Sequence, residues 1–191
     1  MFNGIIKNTG KVIRIDKNIN ESSINVNSNI EFSRDEIGSS ISCSGVCLTL
    51  VNFNKKSCKF YISKETINRT NFKNVKKNTI INIEKSLKYG DRISGHFVQG
   101  HVDTTSKVLS INPIGKSWYI DFSLSKKYRK FIIEKGSIAI NGVSLTIARK
   151  LKKMFRIIVI PQTLKHSNLY KLKKGDIVNI EFDVLRKYKK A

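Results

Sequence analysis

The chain says nearly the same thing twice. Gly45-Val46-Cys47-Leu48-Thr49 returns 97 residues later as Gly142-Val143-Ser144-Leu145-Thr146. At the same offset of 97, Glu65-Thr66-Ile67 with Asn71-Phe72 matches Gln162-Thr163-Leu164 with Asn168-Leu169. The run from Lys76 to Glu84 matches the run from Lys173 to Glu181 in that register too. Nearer the N-terminus, Gly4, Thr9, Lys11 and Val12 answer Gly100, Thr105, Lys107 and Val108 at an offset of 96, so one insertion or deletion separates the first strand from the rest. A unit this long exceeds a solenoid repeat and has the size of a small domain. Such a chain is restricted to folds that work as tandem duplicates, and two similar domains imply two similar binding surfaces.

The dominant hydrophobic period is two. Ile41 and Cys43, then Val46, Leu48 and Leu50, alternate with smaller or more polar residues across a break at Gly45. Ile80 to Glu84, Ile157 to Ile160 and Ile177 to Glu181 are short β-branched runs. Turn signals fall between them at Asn52-Phe53-Asn54, Asn112-Pro113-Ile114-Gly115 and Lys174-Gly175-Asp176. Short strands with this punctuation predict an all-β barrel or sandwich in each half. Short helical turns are expected after Glu65-Thr66 and Gln162-Thr163, and near Ser125 to Ile133. The join lies around Ser94-Gly95-His96, because Val98-Gln99-Gly100 restarts the N-terminal pattern. This divides the chain into domains at 1–96 and 97–185, with a short tail at 186–191.

Composition narrows the class. No stretch approaches the roughly 20 apolar residues that span a bilayer, and the first residues lack the features of a signal peptide. Three cysteines fit reduced thiols better than a disulfide framework. The expectation is a cytoplasmic protein with no membrane partner. The formal charge of +22 would suit a nucleic-acid binder. The lysines, however, are scattered through both halves, with short clusters at Lys126-Lys127, Lys152-Lys153 and Lys187 to Lys190. A nucleic-acid site would interleave basic residues with exposed aromatics on one face. No nucleic-acid partner is therefore expected, and a basic nucleic-acid-binding β-barrel is kept only as a remote alternative.

The repeated pentapeptide has the first claim on chemistry. Residues two apart on a strand share a face, so Cys47 points with Thr49 and Ser144 with Thr146, while Leu48 and Leu145 point into the cores. Each half thus shows a small pair of hydrogen-bonding groups beside a glycine, a wall for a flat polar ligand. A metal centre is disfavoured. Cys43 and Cys47 would lie ~13 Å apart along a strand, His96 and His101 would face opposite sides, and no CxxC or HExxH occurs. Gly142-Val143-Ser144-Leu145-Thr146 is not the GxSxG of a hydrolase nucleophile. His101, in Gly100-His101-Val102-Asp103, has a flanking glycine and a nearby carboxylate that suit an acid–base group.

Together these features resemble the riboflavin synthase family of the alpha-chain type, over essentially the whole chain. The matching segments are Met1 to Ile6, Gly45 to Thr49, Lys64-Glu65-Thr66, Gly95 to Asp103, Lys135 to Ile138, Asn141 to Thr146, Ile160 to Thr163 and Val178 to Glu181. The resemblance implies two tandem, homologous six-stranded Greek-key barrels, each binding one 6,7-dimethyl-8-ribityllumazine. A four-carbon unit passes from one lumazine to the other, giving riboflavin and 5-amino-6-ribitylaminopyrimidinedione with no metal or organic cofactor. It further implies a homotrimer joined by a C-terminal helix, the productive site lying between the N-terminal barrel of one subunit and the C-terminal barrel of its neighbour. The stretch after Asp183 is short for an independent helix, so a weakened trimer is expected. A non-catalytic lumazine- or flavin-binding protein of the same fold is the nearest alternative.

Site residues follow by the same resemblance. Gly4, Ile5 and Ile6, then Cys47, Leu48 and Thr49, are expected to line the N-terminal site. Tyr61, Ile62, Ser63, Lys64, Glu65 and Thr66 continue that wall. Gly100, His101 and Val102, with Lys135, Ser144, Leu145 and Thr146, are expected in the other site. Ile160, Pro161, Gln162, Thr163, Leu164 and Lys165 complete it. His101 is the expected proton-transfer group, Ser144 with Asp183 would activate or position a nucleophile, and Cys47 and Ser40 would assist on the opposing ring.

Overall fold

A computed structural model describes residues 1–17 and 22–188 of the chain. Strands β1 (Asn8–Lys17), β2 (Ser22–Asn27), β3 (Ser40–Cys43), β4 (Val46–Phe53), β5 (Ser57–Ile62) and β6 (Ile80–Lys85) form the first half. The second half contains β7 (Thr104–Ile114), β8 (Ser117–Ser123), β9 (Ser137–Ile140), β10 (Val143–Lys150), β11 (Met154–Val159) and β12 (Ile177–Phe182). Both halves close into six-stranded antiparallel barrels, ordered β1-β2-β5-β4-β3-β6 and β7-β8-β11-β10-β9-β12 around their circumference. The two orders are the same once the numbering is shifted, as the repeat requires. Bulges recur at equivalent places: between Val12 and Arg14 and between Val108 and Ser110, then between Leu50 and Asn52 and between Ile147 and Arg149. Such extra residues bend and coil a strand, which is how a short sheet closes.

Strand alternation places one side chain in two inside each barrel. Val12, Ile24, Leu50, Phe60 and Ile81 fill the first core, and Val108, Ile120, Ile147, Ile157 and Val178 hold the equivalent places in the second. The halves are not filled identically. Phe122 and Phe155 stack at 5.4 Å in the second barrel, where the first has Val26 opposite Cys58. Each fully buried aliphatic or aromatic side chain contributes roughly 1.5–3 kcal/mol.

Helices α1 (Lys64–Arg69) and α2 (Pro161–His166) follow β5 and β11, as the sequence predicts, and single 3-10 turns at Asn71–Lys73 and Asn168–Lys171 continue them. Ser63 caps α1, accepting from the Thr66 amide at 3.0 Å; in the second half Ile160 holds that place and Pro161 opens the helix. The tail forms a single helical stretch, α3 (Val184–Tyr188), and residues 189–191 of the expected tail lie outside the described residues.

The barrels meet across an approximate two-fold axis of asparagines, buried except for the half-buried Asn71. The Asn71 amide donates to Asn179 Oδ1 at 2.7 Å, and the Asn168 amide donates to Asn82 Oδ1 at 2.6 Å. Asn82 Nδ2 donates to the Asn141 carbonyl at 2.8 Å, while Asn179 Nδ2 donates to the Ser44 carbonyl at 2.9 Å. These bonds recur with the halves exchanged, except that Asn141 Nδ2 also donates to Asn168 Oδ1 at 3.4 Å, a bond Ser44 cannot copy. The Ser44–Asn141 asymmetry is absorbed, because Ser44 Oγ accepts from the Asn82 amide as Asn141 Oδ1 accepts from that of Asn179. Gly45 and Gly142, both at positive φ, touch on the axis; a Cβ on Gly45 would lie 2.6 Å from the Gly142 nitrogen.

Candidate functional site

Two non-regular straps cross between the barrels, and they build the site. Residues 2–7 precede β1, and residues 95–103 precede β7. They pair with each other through Phe2 and Val98, with N–H···O distances of 2.7 and 3.0 Å in the two directions. Phe2, Val98 and Ala139 form a small buried cluster with Cys47 packed on it. Each strap then lies on the barrel to which it does not belong in sequence. The Gly4 carbonyl accepts from the Ser144 amide at 2.9 Å, and Ile6 sits in the core of the second barrel. The Gly100 carbonyl accepts from the Cys47 amide at 2.9 Å, and Val102 packs on the core of the first.

Glycines make these approaches possible. Gly4 and Gly100 have φ of 72° and 80°, and a Cβ on either would lie 2.7 Å from the Cβ of Ser144 or Cys47 respectively. Gly95 is constrained by space alone: a Cβ there would lie 2.1 Å from the Asn3 carbonyl oxygen. Only glycine combines the left-handed conformation with such proximity.

The second barrel carries a cavity of about 430 Å³ bounded by the strap at Gly4–Lys7, by Val143 and Ser144 of β10, and by Gln162, Thr163 and His166 of α2. At its edge Ser144 Oγ lies 2.7 Å from His96 Nδ1. The His96 Nε2 is buried with no hydrogen-bond partner among the described residues. Burial holds the pKa of His96 below its ordinary value, and the nearby negative charge of Asp183 pulls the other way without overcoming it. A neutral imidazole beside a serine hydroxyl can accept and return a proton, the requirement for acid–base work at neutral pH. On the first barrel, Ser40, Thr49 and Tyr61 stand opposite one another across β3, β4 and β5, forming an outward row. Cys47 lies on the same outward face of β4 as Thr49, against the strap at Gly100.

The model of the lumazine binding domain family matches residues 3–86 and again residues 99–183. The chain is 36% identical over 188 residues to the riboflavin synthase of Actinobacillus pleuropneumoniae, covering 98% of this chain and 87% of that protein. It is 38% identical over 189 residues to that of Buchnera aphidicola subsp. Schizaphis graminum, covering 96% and 89%. The chain belongs to the riboflavin synthase family. Among solved structures, LumP complexed with riboflavin superposes with a TM-score of 0.84 at 24% identity, over 95% of this chain and 99% of that one. LumP complexed with 6,7-dimethyl-8-(1'-D-ribityl) lumazine gives a TM-score of 0.81 over the same shares.

Within this riboflavin synthase fold, the site expectations need one correction. Gly4, Ile5 and Ile6 stand with Ser144 on the second barrel, while Gly100 and Val102, with His101 between them, stand with Cys47 on the first. The expectation drawn from the resemblance had them reversed, since each strap crosses to the barrel to which it does not belong in sequence. Ser144, Gln162 and Thr163 do come together. Leu48, Ile62 and Leu145 point into the cores, so a ligand beside them meets backbone. Ser63 and Thr66 bond each other at 2.8 Å, and Glu65 is engaged by Arg69, so these serve helix α1. Lys64, Ile160, Pro161 and Lys165 are exposed around the helices, Thr146 is exposed on β10, and Leu164 packs on the second core. Lys135 occupies a left-handed turn at φ 66°, equivalent to Gly38 in the first half.

One group was missed. His101 is exposed on its strap, and the histidine that reaches Ser144 is His96. A glycine precedes both His96 and His101 in the same short segment, so the sequence carries no signal that separates them.

Proposed function

We infer that the protein converts two molecules of 6,7-dimethyl-8-ribityllumazine into riboflavin and 5-amino-6-ribitylaminopyrimidinedione, passing a four-carbon unit from one ring to the other. Family membership supports the reaction, and the observation that carries it is the pair of strap-lined walls at Cys47 and Ser144. A reaction between two copies of one molecule needs two similar surfaces that can be brought face to face. Holding both rings in register makes the encounter effectively unimolecular, which can contribute roughly 7–11 kcal/mol. The remaining work is removal of a methyl proton from one ring and addition of a nucleophile to the other. In this reading neutral His96 accepts the Ser144 hydroxyl proton through Nδ1, and Asp183 favours the imidazolium that results. Cys47, Ser40 and His101 serve the ring on the first barrel.

Subunits assemble as a trimer in this reading, so that the Cys47 wall of one subunit faces the Ser144 wall of the next. A cytoplasmic location fits three unpaired thiols. The test is incubation of purified protein with the lumazine alone, with riboflavin followed by absorbance and mass by light scattering. Riboflavin should appear from a trimer. Ser144→Ala and His96→Ala should each lower turnover ~10²–10⁴-fold, the usual contribution of a positioned proton-transfer group. Turnover unchanged in both variants would remove these roles. Tight binding without riboflavin would make the chain a binding-only relative.

A further inference from the structure

A pair of glutamates occupies equivalent places in the two barrels, and neither belongs to the chemistry described above. Glu84, near the end of β6, accepts from the amides of Asn3 at 2.9 Å and Gly4 at 3.2 Å through Oε1, and again from Gly4 at 3.1 Å through Oε2. Glu181, on β12, accepts from the Gln99 amide at 2.7 Å through Oε1 and from the Gly100 amide at 2.8 Å through Oε2. The side chain of Glu181 is buried, and that of Glu84 is largely so. A carboxylate taken from water needs such donors, and hydrogen bonds to a charged group are the stronger kind.

Each glutamate belongs to one barrel, yet the strap it holds serves the other. Glu84 of the first barrel grips the peptide whose Gly4 carbonyl accepts from Ser144 in the second. Glu181 of the second grips the peptide whose Gly100 carbonyl accepts from Cys47 in the first. In both cases the glycine's N–H is held from behind and its C=O is presented to the site strand. We propose that Glu84 and Glu181 are cross-acting positioning residues: Glu84 sets the wall of the ligand site on the second barrel, and Glu181 sets that on the first.

The proposal rests on the ribityllumazine reading of the two walls, and a chemical reporter separates the two claims. Cys47 stands on the first site, whereas Cys43 and Cys58 are buried, with burial pushing both thiols up, Cys58 to about 12. The thiolate is the reactive form, so alkylation by iodoacetamide at pH 8 reads Cys47 alone. Wild-type protein should bind two equivalents of 6,7-dimethyl-8-ribityllumazine per chain by equilibrium dialysis and show Cys47 protected by ligand. Glu84→Ala should lose one equivalent while Cys47 remains protected. Glu181→Ala should also lose one equivalent, but with Cys47 exposed to alkylation.

Glutamine variants guard against simple loss of folding. Glu84→Gln should largely restore binding, since one oxygen already serves both Asn3 and Gly4. Glu181→Gln should restore it poorly, since its two amides use different oxygens. Wild-type protein that neither binds nor protects Cys47 would overturn the ligand reading and this inference with it. Wild-type behaviour as expected, with either alanine variant losing the site on its own barrel, both sites or neither, would overturn the cross-acting assignment alone.

Discussion

Truncating Asn82 to alanine should cost the protein about 4 kcal/mol and separate the two barrels. Asn82 is fully buried on the approximate two-fold axis. Its Oδ1 accepts from the Asn168 amide at 2.6 Å, and its Nδ2 donates to the Asn141 carbonyl at 2.8 Å and to Asn168 Oδ1 at 3.1 Å. Asn168 Oδ1 keeps a second donor in Asn141 Nδ2 at 3.4 Å, so its loss is partial. The Asn168 N–H and the Asn141 carbonyl are left facing a small gap. A buried backbone group deprived of its partner costs roughly 1–3 kcal/mol, so two give about 2–6. That is a large share of the roughly 5–15 kcal/mol typical of a folded domain. Urea unfolding followed by two probes is the assay. Far-ultraviolet circular dichroism reports both barrels, whereas the fluorescence of Trp118, the single tryptophan, reports the second alone. The two transitions should coincide in the wild type and part in Asn82→Ala, because one half of the contact that couples the barrels has been cut while the Asn179 half remains. A variant whose two midpoints still coincide, with a change under about 0.5 kcal/mol, would refute the view that this network joins the barrels.

Two further outcomes follow from the same geometry. Burial raises the Glu84 carboxyl from 4.5 to about 7, against the opposing effect of the Asn3 and Gly4 amides. The folded chain therefore holds this proton more tightly than the unfolded one, so its contribution to stability is complete below about pH 4.5 and is lost as pH rises through 7. Urea midpoints at pH 5 and pH 8 should show the wild type losing up to roughly 3 kcal/mol more than Glu84→Gln across that range, and parallel curves would count against a buried, titrating Glu84. Gly142→Ala would place a Cβ 2.7 Å from the Gly45 nitrogen at φ 78°, whereas Gly115→Ala, at φ 58°, meets nothing within 4 Å among the described residues. Both pay ~1–2 kcal/mol for the left-handed conformation, but only Gly142→Ala also pushes the barrels apart, so equal losses for the two by urea unfolding would contradict the close approach on the axis.

Much of the fold is legible residue by residue because its determinants are local. The period of two through Val46, Leu48 and Leu50 sets which face of β4 is buried, and the copy 97 residues later sets the same for β10. From this come two similar all-β halves and the outward placing of Cys47 with Thr49 and of Ser144 with Thr146. Turn signals fall at strand boundaries, Asn52 to Asn54 where β4 ends and Gly175 just before β12 begins, because they reflect backbone preferences of the residues themselves. The asparagines were visible in the repeat as Asn71 with Asn168 and Asn82 with Asn179, but a polar residue in a strand reads as solvent-facing until something is known to pack on it.

The exchange of the straps could not be read from the chain. A strap of a few residues can fold back on its own barrel or cross to the other, and no local preference distinguishes the two. Glu84 and Glu181 decide it with contacts about 80 residues away in sequence. His96 was overlooked for His101 for the same reason: both sit in one short segment, and only the packed barrels show which one meets a serine 48 positions further on. Sequence alone determined the duplication, the strand period and the family, since these lie in order and spacing along the chain. Tertiary structure decided which barrel each strap serves and which histidine meets Ser144, because those depend on surfaces that exist only after both barrels have closed and docked.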